Sequence, residues 1–419
     1  MSASMHRARM LAWYLRKFGW DFEILCPSIA IQERMWIDPS ANGFFAPDVI
    51  VHETPPLRSG NFLRMLGIRG VSWQSLMPIY RTGSQLLRTN RFDLVFFSTT
   101  AFNLFCLGRL WQQRFGVPYV LDFQDPWFRE RPAATPTTKH VWKARIGNAL
   151  ASKMEGFAVR KAAGLLSVSQ HYLQTLRQRH PDSAAFIEGR TETIPFGARE
   201  ADYPDPVARA RPPFIIAYVG AGGALMERSF GYLMRCFLGL RMTHSDLMRK
   251  FQIRLVGTDG GWTEGRPKRL QRLAESLGLT GLVTEDPAIV PYSTAAKIAA
   301  DADGLLVLGV DEPAYMASKL FSYASLHKPL LVSIGNQSQM NDYFSRYPDL
   351  GTLAHFDDGE EASLNGQMQL LAFLNQVLTG ERAQRTALLA EHSAEGMTRK
   401  IAKFFDACIN DPHEAGVAG

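Results

Sequence analysis

The chain of 419 residues is poor in several features that mark particular classes of protein. Its few cysteines are far apart and lie in apolar surroundings, which excludes a disulfide framework or a cysteine metal site and predicts free thiols in a reducing compartment. They are Cys26, Cys106, Cys236 and Cys408. No apolar run reaches the roughly 18 residues that span a bilayer, and the first residues carry no signal-peptide core. These absences favour a cytoplasmic protein.

A strong excess of charge is also lacking. The formal net charge is +6, which suits an anionic ligand or an anionic membrane surface and gives no indication of nucleic-acid binding. The composition, 46% hydrophobic and 21% charged, is ordinary for a globular protein. The length is too great for one ordinary core, so two domains are expected.

Nucleotide-binding signatures are incomplete. Phe214–Val219 reads as a buried strand, and Gly220-Ala-Gly-Gly223 follows it before a helix. The Gly-Lys-Ser/Thr of a P-loop is absent, and a dinucleotide motif would need glycine at Leu225. A glycine turn between strand and helix nevertheless lets backbone N–H groups approach phosphate closely.

The stretch from residue 305 to residue 333 carries the most specific pattern. Leu305-Leu-Val-Leu308 and Pro329-Leu-Leu-Val-Ser333 read as buried parallel strands. A short helix between them would have Ser318 as its N-cap and Lys319 in its first turn. A helix N-terminus at the carboxyl end of a parallel strand is a site that readily binds anions, and the lysine adds a positive charge there. The apolar face of this helix is Leu320, Phe321, Ala324 and Leu326.

Ser318-Lys-Leu-Phe-Ser-Tyr323, with Lys328-Pro329, resembles the donor-site segment of GT-B glycosyltransferases of the family 4 type, in the bacterial surface-polysaccharide branch. Ser322 stands where that family has a glutamate that usually holds the donor ribose. A second stretch, Asp122-Phe-Gln-Asp-Pro-Trp127, is similar to the branch's Asp-x-Arg-Asp-Pro-Trp, with Gln124 in place of arginine.

The resemblance implies an α/β protein with the GT-B fold, in which two doubly wound, Rossmann-like domains face a cleft. We predict an acceptor-side domain over residues 1–200 and a nucleotide-sugar-binding domain over residues 214–385. A stretch rich in proline and charge, 201–213, is the expected linker. A C-terminal helix over 386–410 would cross back to the first domain.

The start of the sequence is unusual for such a domain. A doubly wound domain should open with a strand, but here an amphipathic helix runs up to Gly19 before the first recognisable strand, Asp21–Cys26. We therefore expect that the first strand of the N-terminal domain is missing from this sequence, through a late start codon or a real truncation. Its loss would expose strand edges.

By the same resemblance, the protein would be a glycosyltransferase that moves a sugar from a nucleotide-sugar to a glycan or a lipid-linked acceptor in envelope polysaccharide synthesis. The family implies retention of configuration and no metal or other cofactor. Arg228 and Lys319 would meet the charge of the leaving diphosphate, and Asp125 would position the acceptor. The implied donor-binding residues are Gly220, Gly222, Gly223, Gly257, Ser318, Leu320, Ser322 and Tyr323. The implied acceptor-side residues are Ser4, Arg7, Asp122 and Trp127.

One pattern argues formally for a metal. Asp301-Ala-Asp303 matches the D-x-D of metal-dependent glycosyltransferases. The two aspartates come directly before the apolar strand that begins at Leu305, so they should lie at the end of the sheet opposite the ligand. We therefore expect a structural connection and no metal at this place.

Residues 57–91 form a basic amphipathic stretch. Six arginines are interleaved with bulky apolar residues, and no acidic residue occurs in the window. Such a segment can lie on an anionic membrane, which would place the protein at the inner face of the cell membrane. The alternative is a pair of ordinary surface helices whose apolar side belongs to the core.

Two other functions remain open on the sequence. A catalytically degenerate GT-B subunit could serve as a scaffold in a polysaccharide-assembly complex, since Ser322 cannot offer the two acceptor oxygens of a glutamate. A nucleotide-sugar epimerase would need carboxylates that move a proton, and the sequence offers no convincing pair.

Overall fold

The computed structural model describes residues 3–28, 38, 40–55, 71–127, 141–207, 212–261, 265–356 and 363–410. The chain forms two compact units. Among the described residues, the N-terminal unit comprises residues 3–28, 45–55, 71–127, 141–196 and 397–410, and the C-terminal unit comprises residues 38, 40–44, 197–207, 212–261, 265–356 and 363–396.

The N-terminal unit alternates helices and strands. In chain order its elements are α1 (Ala3–Tyr14), β1 (Glu23–Pro27), β2 (Ile50–Thr54), α2 (Val71–Thr89), β3 (Val95–Ser98), α3 (Cys106–Phe115), β4 (Tyr119–Phe123), α4 (Val141–Val159), β5 (Gly164–Ser167), α5 (Gln170–Arg179), α6 (Ala184–Glu188) and β6 (Thr191–Thr193).

The strands of this unit are parallel and fall into two sheets. One sheet has the order β3-β4-β5-β6, and β1 and β2 form a separate pair. Every residue of β4 and of β5 is buried, as expected for parallel strands covered on both faces. The strands and helices alternate as the doubly wound fold predicts, and among the described strands the β1–β2 pair is not hydrogen-bonded to β3.

The helix α2 belongs to the stretch predicted to bind a membrane. Its apolar side packs on the core through Leu76 and Ile79, and the indole N–H of Trp111 donates to the Ser84 hydroxyl. Residues 73–89 therefore behave as the second alternative predicted, a surface helix whose apolar side belongs to the core. Arg81 and Arg88 on this helix are exposed. Residues 57–70 lie outside the described part of the chain.

The C-terminal unit has the same alternation. Its elements are β7 (Phe214–Val219), α7 (Glu227–Thr243), α8 (Ser245–Met248), β8 (Phe251–Gly261), α9 (Arg269–Ser276), β9 (Val283–Ala288), α10 (Tyr292–Asp301), β10 (Gly304–Leu308), α11 (Lys319–Ala324), β11 (Leu330–Ile334), α12 (Asn341–Arg346), β12 (Thr352–His355), α13 (Leu364–Thr379) and α14 (Thr386–His392). The three apolar runs predicted as strands are confirmed as β7, β10 and β11.

The order of this second sheet sets the position of the site. All its strands are parallel, in the order β12-β11-β10-β7-β8-β9. The chain therefore winds outward from β7 in one direction and from β10 in the other. In such sheets a crevice opens outside the carboxyl ends of the two strands where the direction changes. Here those strands are β7 and β10.

The segment 38–44 joins the C-terminal unit although it lies between β1 and β2 in sequence. Asp38 accepts a hydrogen bond from the first N–H of α10, at Tyr292 (2.8 Å), and the Ser40 hydroxyl accepts one from Ser293 (3.2 Å). Phe44 packs edge-on against the Tyr292 ring, with centroids 4.8 Å apart. The segment thus satisfies N–H groups that a helix start leaves unpaired.

The final helical region differs from its prediction. The single helix expected over 386–410 is two helices, α14 and α15 (Ala394–Asn410), separated by Ser393 in an extended conformation. The Ser393 hydroxyl accepts from the Gly396 N–H (3.0 Å) and caps α15, while Ser393 forms a bridge with Ala198. Residues 397–410 belong to the N-terminal unit, where Phe405 contacts Phe96.

None of the helices in the described part of the chain combines the length and the hydropathy that a membrane span requires.

Candidate functional site

The loops after β7 and β10 meet at the point where the sheet reverses direction. The two strands pair directly, with Gly304 opposite Ile216 and Leu305 opposite Ala217. Gly220–Gly223 therefore begins beside the loop that leads from β10 to α11. Both loops lie at the carboxyl ends of their strands, where ligands bind in doubly wound sheets.

Several of the predicted donor-binding glycines are required by close packing. Gly220 has a φ of 133°, and a Cβ atom there would lie 2.5 Å from Cε of Lys319. Gly257 (φ 77°) lies against Gly220, and Gly223 (φ 30°) approaches the Thr258 carbonyl. Larger residues at these places would be strained or would displace the lysine. The glycine loop thus packs around the side chain of Lys319.

Lys319 is a cation without a carboxylate partner among the described residues. Its Nζ atom donates to the Tyr218 hydroxyl (3.3 Å) and lies 4.8 Å from the centroid of that ring. The Tyr218 hydroxyl in turn donates to the Ala221 carbonyl (2.9 Å). Loss of hydration lowers the pKa of Lys319 to about 8. A desolvated ammonium without a counter-ion favours an incoming anion.

The other residues of α11 mainly hold this arrangement in place. The Tyr323 hydroxyl accepts from the Val219 N–H (3.0 Å), which ties α11 to the end of β7. Leu320 is fully buried in the core, and Ser322 is half-buried. Ser318 precedes α11 as predicted, but it has helical backbone angles and its side chain makes no capping hydrogen bond. The prediction that the Ser318 side chain caps α11 is therefore wrong.

Arg228 is engaged by an acid that the sequence analysis missed. Its guanidinium forms an ion pair with Asp311, in the loop after β10, and lies 5.6 Å from the Phe356 ring centroid. Both partners of the pair are substantially exposed. The signal that could have found Asp311 is its position: it follows a buried strand at the predicted ligand end of the sheet.

In the N-terminal unit, Arg7 and Asp122 form a fully buried ion pair. Both Asp122 oxygens accept from the guanidinium, at 3.1 and 3.2 Å, and Arg7 also donates to the carbonyls of Ile194 (2.8 Å) and Pro195 (3.1 Å). Gln124 donates to Asp122 as well (2.6 Å). These two predicted acceptor-side residues thus join α1 to the end of β4, and neither is accessible to an acceptor in this arrangement.

The remaining acceptor-side predictions fall on different kinds of positions. Asp125 is exposed just after β4. Trp127 is half-buried and stacks on Phe102 and against Phe105, each with centroids 5.7 Å apart. Ser4 lies in α1, but its side chain is outside the described part. Of the two carboxylates in this motif, Asp125 is therefore the exposed one.

The aspartates of the D-x-D pattern bind backbone. Asp303 accepts from the Ile215 N–H (2.7 Å), and Asp301 accepts from the Val207 N–H (3.2 Å) and pairs with Lys297 (3.0 Å). They therefore connect the linker, the start of β7 and α10. Within the described residues no group of three or more His, Cys, Asp or Glu side chains is arranged to hold a metal ion.

Comparison with known proteins agrees with this fold. Residues 5–188 match the model of the glycosyl transferase 4-like domain. A sequence search among curated proteins finds no match. Among solved structures, sucrose-phosphate synthase from Thermosynechococcus elongatus is similar with a TM-score of 0.59 and 13% identity, over 95% of this chain and 92% of that chain.

Two further structures are similar over almost their full length. Anabaena HepE, solved in complex with UDP and glucose, has a TM-score of 0.59 and 12% identity, over 97% of this chain and 96% of that chain. The N-terminal domain of Candida albicans trehalose-6-phosphate phosphatase has a TM-score of 0.58 and 11% identity, over 97% and 93%. The chain therefore has the GT-B fold, and residues 5–188 are similar to the glycosyl transferase 4-like domain.

Proposed function

We propose that the protein transfers a sugar from a nucleotide-sugar to an acceptor hydroxyl, and that Lys319 binds the diphosphate of the donor. The observation that carries this proposal is the Lys319 ammonium, which lacks a carboxylate partner among the described residues. It lies against the glycine loop at the point where the sheet reverses direction.

The chemistry requires positive charge at this place. When the bond from the sugar to the diphosphate breaks, negative charge accumulates on the phosphate oxygens. Fixed cations and backbone N–H groups in a site with little water stabilise that charge most effectively. Lys319 and the Gly220–Gly223 loop supply such groups. Arg228 would contribute a second cation once its pairing with Asp311 is released.

The finer assignments extend this proposal. We infer a uridine nucleotide donor, because a structure of similar fold, HepE, was solved with UDP. The resemblance of the sequence motifs supports a reaction that retains the configuration of the sugar. In this reaction cations of the protein stabilise the leaving diphosphate, and no cofactor takes part. It also supports a glycan or lipid-linked acceptor of an envelope polysaccharide, used at the cytoplasmic face of the membrane. Asp125 would position the acceptor hydroxyl, since it is exposed where the motif places the acceptor.

Calorimetric titration of the protein with UDP, GDP and ADP tests the proposal. We expect one nucleotide, UDP, to bind, and Lys319→Ala to abolish that binding. Lys250→Ala is the matched control, because it removes an exposed lysine elsewhere in the same unit and should bind UDP as the original protein does. Incubation of the UDP-sugar with extracted glycolipid acceptors would then identify the transferred sugar.

A folded protein that binds none of the three nucleotides would overturn this function. That result would favour the scaffold subunit instead. Binding that survives Lys319→Ala would leave the transfer reaction standing but would remove Lys319 from the donor site.

A further inference from the structure

A cavity in the N-terminal unit is lined by basic side chains and has no role in the proposed reaction. It measures about 460 Å³ and lies among α3, α4 and the residue that follows α5. The basic residues that line it are Arg109, Lys153, Arg160 and His180, and no acidic residue of the described chain lines it. The predicted donor-side and acceptor-side residues are not part of this lining.

Three of these cations have no carboxylate partner in the described part of the chain. Lys153 and Arg160 are exposed, and neither forms an ion pair there. Arg109 donates through Nη1 to the Phe157 carbonyl (3.1 Å), and its guanidinium lies 4.4 Å from the centroid of that ring. Its Nε atom is buried without a hydrogen-bond partner. The cavity thus brings unneutralised positive charge to one place.

The acidic residue next to the cavity is already used. Glu155 is fully buried, and its two oxygens contact Arg179 (2.8 Å) and His180 (2.9 Å). This contact holds the His180 ring against Gly156, where a Cβ atom would come within 3.1 Å of the ring. Glu155 therefore fixes the histidine in the cavity wall and is not available to balance Lys153 or Arg160.

Like charges around one cavity repel each other, and an anion shared among them removes that repulsion. Arginine offers a planar fork that matches phosphate oxygens, and lysine offers a point charge. The volume lies within the range of small-ligand sites. We propose that this cavity binds a phosphate-bearing anion, either a phosphorylated small molecule or the phosphate of a lipid headgroup. This binding is independent of the proposed transfer reaction.

A charge-reversed cavity tests this inference. The cavity variant is Lys153→Glu/Arg160→Glu, at two exposed positions where folding should be unaffected. The control variant, Lys161→Glu/Lys250→Glu, makes the same change of charge at exposed residues outside the cavity. The probes are inorganic pyrophosphate, measured by calorimetry, and vesicles of phosphatidic acid or of phosphatidylcholine, measured by flotation.

With pyrophosphate we expect two sites in the original protein, because Lys319 also attracts phosphate. The cavity variant should lose one site, Lys319→Ala should lose the other, and the control variant should keep both. If only Lys319→Ala loses a site, the cavity proposal is overturned and the proposed role of Lys319 in the donor site stands. Loss of one site in the cavity variant alone would support the cavity proposal and would remove Lys319 as a phosphate-binding residue.

The vesicle arm identifies the source of the phosphate. If the ligand is a lipid headgroup, the original protein and the control variant float with phosphatidic acid vesicles and not with phosphatidylcholine, and the cavity variant stays unbound. If it is a small molecule, pyrophosphate binds and the vesicles do not. A cavity variant that matches the original protein with both probes, or an original protein whose cavity binds neither, overturns the proposal.

Discussion

Replacing Lys319 by methionine should make the protein more stable and remove nucleotide binding. Lys319 as a whole is half-buried and its side chain lies against Gly220. The neighbours of its ammonium offer one hydroxyl and an aromatic ring but no carboxylate of the described chain. Methionine has a similar length and no charge, so it can fill the same space without the cost of desolvation.

The size of the effect follows from the pKa of Lys319. Lowering it from the ordinary 10.5 to about 8 corresponds to a cost of about 3 kcal/mol while the group is charged. Some of this cost is recovered by partial exposure, so we expect Lys319→Met to raise the free energy of unfolding by about 1–3 kcal/mol at pH 7.

The dependence on pH has a definite sign. Below pH 8 the lysine is charged in the folded and the unfolded protein, and the folded state bears the full cost. Between pH 8 and 10.5 the folded state binds fewer protons than the unfolded state, so the stability of the original protein rises with pH. The difference between Lys319→Met and the original protein should therefore shrink across this window.

Urea unfolding at pH 7, 9 and 10 measures this difference, and titration with UDP measures binding. A bound diphosphate restores the charged lysine, so affinity should fall above pH 8, by up to about tenfold per pH unit. Lys250→Met, at an exposed position, should change stability by less than about 0.5 kcal/mol. A Lys319→Met protein that is less stable than the original at pH 7, or UDP affinity that is constant up to pH 10, would refute the reasoning.

Three further substitutions test other contacts. Gly220→Ala should destabilise the protein by about 1–3 kcal/mol and weaken UDP binding. The reason is that alanine is strained at a φ of 133° and its Cβ atom would lie 2.5 Å from Cε of Lys319. Urea unfolding measures the stability, and titration with UDP measures the binding. Asp122→Asn should cost roughly 3–5 kcal/mol in urea unfolding, because the buried Arg7 would lose its carboxylate. Asp311→Asn should release Arg228 and strengthen UDP binding about two- to fivefold with little change in stability, since an exposed pair contributes about 0.2–1 kcal/mol.

Matched control variants make the same kind of substitution at exposed positions, so they show what the substitution does without the buried or strained contact. Gly147→Ala, at an open helical position, should stabilise by about 0.5–1 kcal/mol. Asp48→Asn removes a carboxylate from an exposed pair with Arg16 and should cost less than about 1 kcal/mol. Equal losses in Asp122→Asn and Asp48→Asn would contradict the buried role of Asp122, and UDP affinity unchanged by Asp311→Asn would exclude competition for Arg228.

The sequence alone predicted three central strands of the C-terminal unit and the place of the candidate site beside them. The apolar runs at β7, β10 and β11 are short and bounded by turns, so their burial is legible from local pattern. Gly220 and Lys319 follow such runs, and parallel strands present their carboxyl ends at one edge. Local pattern was therefore enough to bring two loops together across a separation of about a hundred residues in the chain.

Tertiary structure decided which charges are satisfied. Arg7 and Asp122 are 115 residues apart, and no spacing rule predicts that they neutralise each other in the core. Arg228 meets Asp311 in the same way, across 83 residues. The break between α14 and α15 also depends on a distant partner, Ala198. Periodicity reports which face of an element is buried, but an ion pair depends on how separate elements pack, and only the folded chain specifies that.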